Sequence, residues 1–214
     1  MKSKPAFSSL FSKSEGINKL SLARFFLFGA RDVWFVVALP VFLEASLGWN
    51  FEQVGAFMGT WVIGYGIVQG SAPALRRLWG QTSSPGVAAV QFWSALLTAI
   101  PALIGVALWR DANVAIAITA GLAAFGVVFA MNSSIHSYMV LAYTDAESVS
   151  LNVGFYYMAN AAGRLIGTLL SGAVFMLGRT ESGGMQACLW TSSLLVLLAW
   201  LSSLRLPAPL RTVS

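Results

Sequence analysis

Charged residues are scarce in this sequence of 214 residues. Lys and Arg together number 13 and Asp and Glu number 8, so charged residues make up 10% of the chain against 57% for hydrophobic residues. Because soluble domains carry about 25% charged residues, this chain has too few to cover a surface that faces water. A disordered chain needs the opposite composition, with low hydrophobicity and high charge. The composition therefore excludes both classes and predicts an integral membrane protein.

Cysteine and histidine are nearly absent, with one residue of each. A single cysteine excludes a disulfide framework and a cysteine-rich metal site, and a single histidine excludes a multi-histidine metal site. The sequence has no glycine-rich phosphate-binding loop, and its one histidine lies in a different apolar segment from Ser171, so we expect neither an ATPase nor an intramembrane protease. We predict a protein that is not an enzyme and that needs no cofactor or metal. The net charge of +5 is modest, and the basic residues lie at segment ends, so we expect no nucleic-acid partner.

Six apolar segments are long enough to cross a lipid bilayer, which requires about 20 residues. None of them alternates polar with apolar residues, and backbone groups in lipid must be satisfied within the segment, so helices are favoured over strands. Pro40 and Pro101 are expected to allow breaks. The predicted fold class is an all-α integral membrane protein with six transmembrane helices. The predicted spans are residues 21–46, 54–75, 87–108, 114–143, 150–177 and 185–204.

Lys and Arg at the ends of the spans predict the orientation, because cytoplasmic loops carry an excess of these residues. With six spans, eight basic residues fall on one side of the membrane, and Arg110 and Arg179 fall on the other. Both termini are therefore predicted to be cytoplasmic. The eight basic residues are Lys2, Lys4, Lys13, Lys19, Arg76, Arg77, Arg205 and Arg211.

The first half of the first span contains three charged residues, which are costly at bilayer depth, at about 2.5–3.5 kcal/mol each on insertion scales. Arg24 and Arg31 are seven residues apart and share a helical face with Phe28. Arg24 lies near the cytoplasmic end, and we expect its side chain to reach the membrane surface. Arg31 and Asp32 lie deeper. Because neighbouring residues point about 100° apart on a helix, we expect each to find a partner on another helix or in a wet cavity.

Two sets of residues at four-residue spacing run along the fifth span, and residues at this spacing share a helical face. The small residues predict a packing surface, since they let a neighbouring helix approach closely. The polar residues predict the wall of a cavity. For Arg164 two interpretations stay open: a structural ion pair with Asp32, or a guanidinium that binds phosphate-like oxygens. The small residues are Ala159, Gly163, Gly167 and Ser171, and the polar residues are Asn152, Tyr156, Asn160, Arg164 and Thr168.

The fourth span places Asn132 and His136 four residues apart. His136 is a candidate for substrate binding or proton relay, because imidazole changes charge near neutral pH. The alternative for both side chains is hydrogen bonding between helices. Tyr65 and Gln69 in the second span are weaker candidates for a polar site.

Four of the spans resemble one known family. The resemblance lies in FFLFGARDVWFVVALPVFL at 25–43, WVIGYGIVQGSAP at 61–73, FGVVFAMNSSIHSYMVLAY at 125–143 and LNVGFYYMANAAGRLIGTLLSG at 151–172. These segments are similar to the seventh, eighth, tenth and eleventh helices of ArsJ-type organoarsenical efflux permeases, which are transporters of the major facilitator superfamily. The similarity extends over most of the chain, from about residue 11 to residue 204.

The resemblance implies efflux of an organoarsenical, 1-arseno-3-phosphoglycerate, across the inner membrane, which confers arsenate resistance. It also implies a functional link to the glyceraldehyde-3-phosphate dehydrogenase that makes this ester. Such a ligand carries arsenate and phosphate groups, which suit buried cations. Arg31 and Arg164 are therefore expected to hold these groups, and Asp32 to act as a counter-ion or a proton-coupling carboxylate. The residues expected to orient the ligand are His136, Asn132, Tyr156 and Asn160.

The resemblance covers one half of a facilitator, which has twelve helices in two halves and a substrate site between them. Residues 1–20 resemble the basic cytoplasmic linker between halves, residues 21–204 the second six-helix bundle, and residues 205–214 a cytoplasmic tail. We therefore expect a partner in the lipid bilayer, either an amino-terminal half-transporter or a second copy of the chain. The alternatives are another anion or drug exporter of the same superfamily, and a non-transporting membrane subunit that regulates a full permease.

A monomer of this chain is predicted not to transport, because its cavity face would expose Arg31 and Arg164 to lipid. The measurement is substrate export by the purified chain in lipid vesicles. The protein-to-lipid ratio is low enough for each vesicle to hold one chain, and the monomeric state is demonstrated separately. Export by such a monomer would contradict the prediction.

Overall fold

The computed structural model describes residues 14–110, 113–145 and 148–209 of the chain. Within these ranges the protein is all-helical and contains no strand. Lys2, Lys4, Lys13 and Arg211, which contribute to the predicted orientation, lie outside the described residues. The helices are α1 (Glu15–Phe35), α2 (Ala38–Leu47), α3 (Phe51–Leu78), α4 (Val87–Trp109), α5 (Val114–Ala142), α6 (Val149–Phe175) and α7 (Glu181–Ser203).

Four stretches of helix within the described residues are long and apolar enough to span a membrane: Glu15–Leu47, which joins α1 and α2, and α4, α5 and α7. These apolar helices support the prediction of a membrane protein. The helices α3 and α6 are also long, with 28 and 27 residues, or about 40 Å at the helical rise of 1.5 Å per residue. Glycine and polar residues interrupt their apolar sequence, so their crossing of the membrane stays a prediction.

The first predicted span, residues 21–46, consists of two helices with a break at Val36 and Val37. Pro40 lies in the first turn of α2 and has no N–H group with which to continue the helical bonds of α1. The N–H groups of Val37 and Ala38 instead donate to the Ser171 hydroxyl of α6, at 3.3 and 3.1 Å. The expected break at Pro40 is therefore confirmed, whereas the break expected at Pro101 is wrong, because α4 continues through it from Val87 to Trp109. The other five long helices begin and end within four residues of the predicted spans.

Successive membrane helices are expected to run in opposite directions, so the starts of some helices should lie beside the ends of others. Gly16 at the start of α1 lies against the Tyr143 ring at the end of α5. The Tyr143 hydroxyl donates to the Pro207 carbonyl beyond α7 at 2.6 Å. Gln91 at the start of α4 donates to the Ser203 carbonyl at the end of α7 at 3.3 Å. Because α1 already packs here, the helical bundle begins inside residues 1–20, the segment that the sequence predicts to be a linker.

Basic residues from three helices lie at this end of the bundle. Trp79, directly after α3, stacks on Trp93 of α4 with ring centroids 6.0 Å apart, which brings the end of α3 to the same place. Arg110 and Arg179 follow α4 and α6, at the other end. This grouping agrees with the predicted alternation, while the side of a membrane on which it lies stays a prediction. We call this end the basic end, and its basic residues are Lys19, Arg76, Arg77 and Arg205.

Trp34 of α1 is fully buried at the centre of an aromatic core. Its ring meets the rings of Trp61 in α3 and Phe125 in α5 edge to face, with centroids 5.7 and 5.1 Å apart. Trp61 also donates from Nε1 to the Leu122 carbonyl of α5 at 2.7 Å. Edge-to-face rings attract each other beyond the area that they bury, so these contacts hold α3 and α5 against α1.

The small residues of α6 pack directly on the backbone of α1. Gly163 lies on the Phe25 carbonyl, and a Cβ atom at Gly167 would come within 2.5 Å of the Gly29 carbonyl oxygen. Ser171, the last of the set, is fully buried. The predicted packing surface is therefore confirmed, since only residues without a side chain leave room for such a close approach.

Replacing Gly163 with alanine is expected to lower the free energy of unfolding by about 1–3 kcal/mol, because the added methyl group falls on the Phe25 carbonyl. The matched control is Gly154→Ala on the same helix, where an added Cβ meets nothing within 4 Å. The measurement is thermal unfolding in detergent. A thiol-reactive dye detects it, because the dye labels the buried Cys188 only when unfolding exposes it. Equal unfolding temperatures for the two variants would contradict this account of the α1–α6 contact.

Candidate functional site

Asp32 of α1 is the centre of a group of charges inside the bundle. Its side chain is 1% exposed. Oδ1 accepts a hydrogen bond from Arg31 Nε at 2.6 Å, and Oδ2 accepts one from Arg164 Nε of α6 at 3.1 Å. The ion pair between Asp32 and Arg164, one of the two interpretations open for Arg164, is therefore present.

Arg31 pairs with its neighbour Asp32, so the expectation that these two residues do not meet is wrong. A second nitrogen of Arg31, Nη2, lies 2.5 Å from Asp32 Oδ1. Neighbouring Cβ atoms do point apart on a helix, but the long arginine side chain is flexible enough to bend sideways across that angle. The rings of Phe28 and Phe129 lie 5.0 and 5.7 Å from its guanidinium carbon. The guanidinium is therefore held between a carboxylate and two aromatic rings.

Arg24 turns into the bundle, so the expectation that it reaches the membrane surface is wrong. It is 3% exposed, and its Nη1 donates to Ser133 Oγ of α5 at 2.9 Å and to the Ser133 carbonyl at 3.3 Å. The guanidinium carbon lies 4.0 Å from the Phe28 ring centroid and 5.0 Å from that of Tyr156. The negative faces of these rings attract the cation and replace part of its hydration.

We call Arg24, Arg31, Asp32 and Arg164 the arginine cluster. Its three guanidiniums and one carboxylate leave a surplus of two positive charges. Within the part of the chain that the structure describes, no carboxylate forms an ion pair with Arg24. The Arg164 side chain is 55% exposed, so it lies at the surface of the bundle. A positive surplus among apolar helices favours the binding of an anion, since arginine donors match carboxylate and phosphate oxygens.

Polar groups with unused hydrogen-bonding capacity surround Arg24. The Tyr65 hydroxyl of α3 donates to Ser133 Oγ at 3.3 Å, so three helices meet at this serine. His136, nearly one turn farther along α5, is fully buried, and neither of its ring nitrogens has a hydrogen-bond partner. Since a neutral imidazole offers one donor and one acceptor, His136 has one of each unused.

Of the other predicted ligand-orienting residues, Asn132 is separated from this group. Its Nδ2 donates to Ser94 Oγ of α4 at 3.1 Å, and both residues are fully buried. The interhelical hydrogen bond expected as the alternative is therefore present, and Asn132 holds α4 against α5. Tyr156 lies against Arg24 as described, and Asn160 is partly buried with its Oδ1 unbonded.

The sequence prediction undervalued Arg24, left Ser133 out of the site residues and missed Phe129. A signal for Arg24 was available, because Arg24, Phe28 and Arg31 follow at four- and three-residue spacing on one face of α1. No comparable signal marks Ser133, which stands beside Ser134 in the sequence. Only the rotation of α5 against α1 decides which of the two serines meets the guanidinium.

An apolar cavity of about 270 Å³ lies between α3 and α5. Its wall includes Phe57 and Trp61, and its edge includes Tyr65. Tyr65, which lines the cavity, bonds to Ser133, and Arg24 bonds to the same serine. Apolar walls beside a few polar groups are typical of sites for small molecules, since the walls bury the carbon skeleton and the polar groups orient it.

Two comparisons with known proteins found no match for this chain. No protein-family model matches the chain, and no curated protein matches it. The similarity to arsenical permeases therefore stays a prediction from the four motifs. The arginine cluster is a separate observation, because it follows from the packing of the helices.

Replacing Asp32 with asparagine is expected to lower the free energy of unfolding by about 3 kcal/mol, because it leaves two guanidiniums without a counter-charge. The double variant Asp32→Asn/Arg31→Gln removes one of these cations and should recover part of the loss. The control is Asp145→Asn, which removes an exposed carboxylate at the basic end. The measurement is thermal unfolding in detergent, and a double variant less stable than Asp32→Asn would contradict this pairing.

Proposed function

We propose that this protein is part of a membrane transporter that exports an organic anion, the organoarsenical 1-arseno-3-phosphoglycerate. The observation that carries this proposal is the surplus of two positive charges in the arginine cluster, inside a bundle of apolar helices. A ligand with an acyl-arsenate group at one end and a phosphate group at the other supplies the missing negative charge. The motifs at 25–43 and 151–172, on which the family resemblance rests, contain Arg31, Asp32 and Arg164.

Each member of the cluster has a distinct role in this proposal. Arg31 and Arg164 exchange part of their pairing with Asp32 for the oxygens of one anionic group. Arg24, which has no carboxylate partner in the described chain, binds a second anionic group. The guanidinium carbons of Arg24 and Arg31 lie 4.0 and 5.0 Å from the centroid of the same Phe28 ring, so both are close enough to bind one small ligand charged at two ends. His136, Tyr156 and Asn160 orient the ligand. Asn132 holds α5 against α4 through its hydrogen bond to Ser94.

Transport by alternating access further requires six crossings and a second bundle against which this one moves. We infer that α3 and α6 also cross, that the basic end is cytoplasmic, and that the membrane is the inner membrane. The open surface of α3 supports a partner, because only Val54, Trp61 and Ala72 of this helix are buried. A Cβ atom at any of five glycines of α3 would meet nothing within 4 Å. These glycines are Gly55, Gly59, Gly64, Gly66 and Gly70.

A second candidate is a non-transporting subunit that regulates a full permease. The same open face of α3 favours it, since helices rich in glycine approach other membrane helices closely. Co-purification with a transporter at fixed stoichiometry, without activity of its own, would support this alternative. Another anion or drug exporter of the same superfamily differs from the first candidate only in its ligand.

We predict that this chain, co-expressed with a facilitator amino-terminal half, lowers the arsenic content of arsenate-treated cells that make the partner dehydrogenase. Arg24→Gln and Arg164→Gln should each reduce export about tenfold or more, because hydrogen bonds to charged groups contribute about 1.5–3 kcal/mol. Arg179→Gln, which changes an exposed arginine at the other end of the bundle, is the control. The measurements are cellular arsenic, survival on arsenate and the amount of each variant in the membrane.

Three outcomes distinguish the candidates. If the chain alone lowers cellular arsenic, it builds a complete pathway as a homodimer. If neither the chain nor the pair does so while both are present in the membrane, export of this ligand is contradicted and the regulatory subunit is favoured. If Arg24→Gln and Arg164→Gln export as well as Arg179→Gln, the arginine cluster is not the binding site.

A further inference from the structure

A groove of about 410 Å³ lies between α1 and α7 at the basic end of the bundle. Two cations line it, Lys19 from α1 and Arg205 directly after α7. The rest of its wall is mostly apolar and includes Phe26, Leu198 and Leu201. The groove therefore combines positive charge at one end with an apolar surface along the helices.

The apolar side chains around this groove face outward from the bundle. Leu22 is 49% exposed, Leu201 43% and Leu204 47%. In a membrane, exposed apolar side chains of this kind lie against lipid tails, and cations at the helix ends lie at the depth of the headgroups. Lys19 and Arg205 lie at the boundary between the lipid tails and the headgroups, which is the depth at which lipid phosphates lie.

The charge of the groove is positive. Lys19 Nζ pairs with Glu15 at 2.5 Å, one helical turn away, and the Glu15 side chain is 72% exposed. In the described residues Arg205 forms no ion pair. Two cations and one carboxylate leave a surplus of one positive charge, and the free guanidinium has the fork geometry that phosphate oxygens match.

We propose that this groove binds an anionic phospholipid, with its phosphate against Arg205 and Lys19 and an acyl chain along Leu198 and Leu201. Basic pockets between membrane helices are suited to such headgroups, because each cation near the surface attracts an anionic lipid. The site is separate from the arginine cluster, and it does not depend on the proposed transport of an arsenical.

The test is native mass spectrometry of the full chain in detergent, titrated with phosphatidylglycerol or with phosphatidylcholine of the same acyl chains. Phosphatidylglycerol is expected to bind more tightly. Arg205→Gln should weaken its binding about fivefold, and Lys19→Gln/Arg205→Gln about twenty-five-fold. Glu15→Gln should strengthen it, because it removes the negative charge beside Lys19. Arg77→Gln is the matched control, since it removes one cation at the same end but outside the groove.

The other outcomes overturn the proposal. Equal binding of the two lipids would show that the headgroup charge is not recognised. Equal effects of Arg205→Gln and Arg77→Gln would show that the charge of the whole basic end attracts the lipid, without a site in the groove. If inorganic phosphate displaces phosphatidylglycerol at similar concentrations, the groove binds a free anion and the acyl chain contributes nothing. Thermal unfolding of each variant without added lipid shows that the substitutions leave the bundle folded.

Discussion

The structure depends on how arginine side chains are stabilised inside an apolar bundle. A charged side chain at the centre of a membrane helix costs about 2.5–3.5 kcal/mol on insertion scales, and α1 carries two arginines, with a third at the exposed face of α6 beside them. Asp32 offsets part of this cost by pairing with both Arg31 and Arg164. Ser133 and two aromatic rings stabilise Arg24 without a negative charge. The surplus of positive charge that remains is the basis of the proposed anion site.

Close packing of two helices makes this charge balance possible. The glycines of α6 bring its backbone onto that of α1, with Gly163 on Phe25 and Gly167 on Gly29. At this distance Arg164 reaches Asp32, and Tyr156, eight residues earlier on α6, lies beside Arg24, eight residues before Asp32. A larger residue at either glycine would separate the helices and with them the carboxylate from its second cation. Packing and electrostatics therefore depend on the same contact.

Much of the fold was predictable because it depends on composition and periodicity. Apolar runs near the thickness of a bilayer predicted the long helices, and the spacing of Gly163 and Gly167 predicted a packing surface. The site was predictable only in part. Asp32 and Arg164 were identified, together with their pairing as one alternative, because a buried charge requires a counter-charge. The direction of the Arg24 side chain was predicted wrongly, because the periodicity of one helix does not reveal which hydrogen-bond partners a neighbouring helix presents.

The sequence by itself determined the all-helical class, the apolar spans, the break before Pro40 and the small-residue face of α6. These follow from the hydrophobicity of local segments, from the missing N–H of proline and from the missing side chain of glycine. The tertiary structure alone decided that Arg31 bends back to Asp32, that Arg24 bonds to Ser133, and that Asn132 bonds to α4 instead. A polar side chain's partner depends on the rotation and depth of the neighbouring helices, and those are set by the packing of the whole bundle.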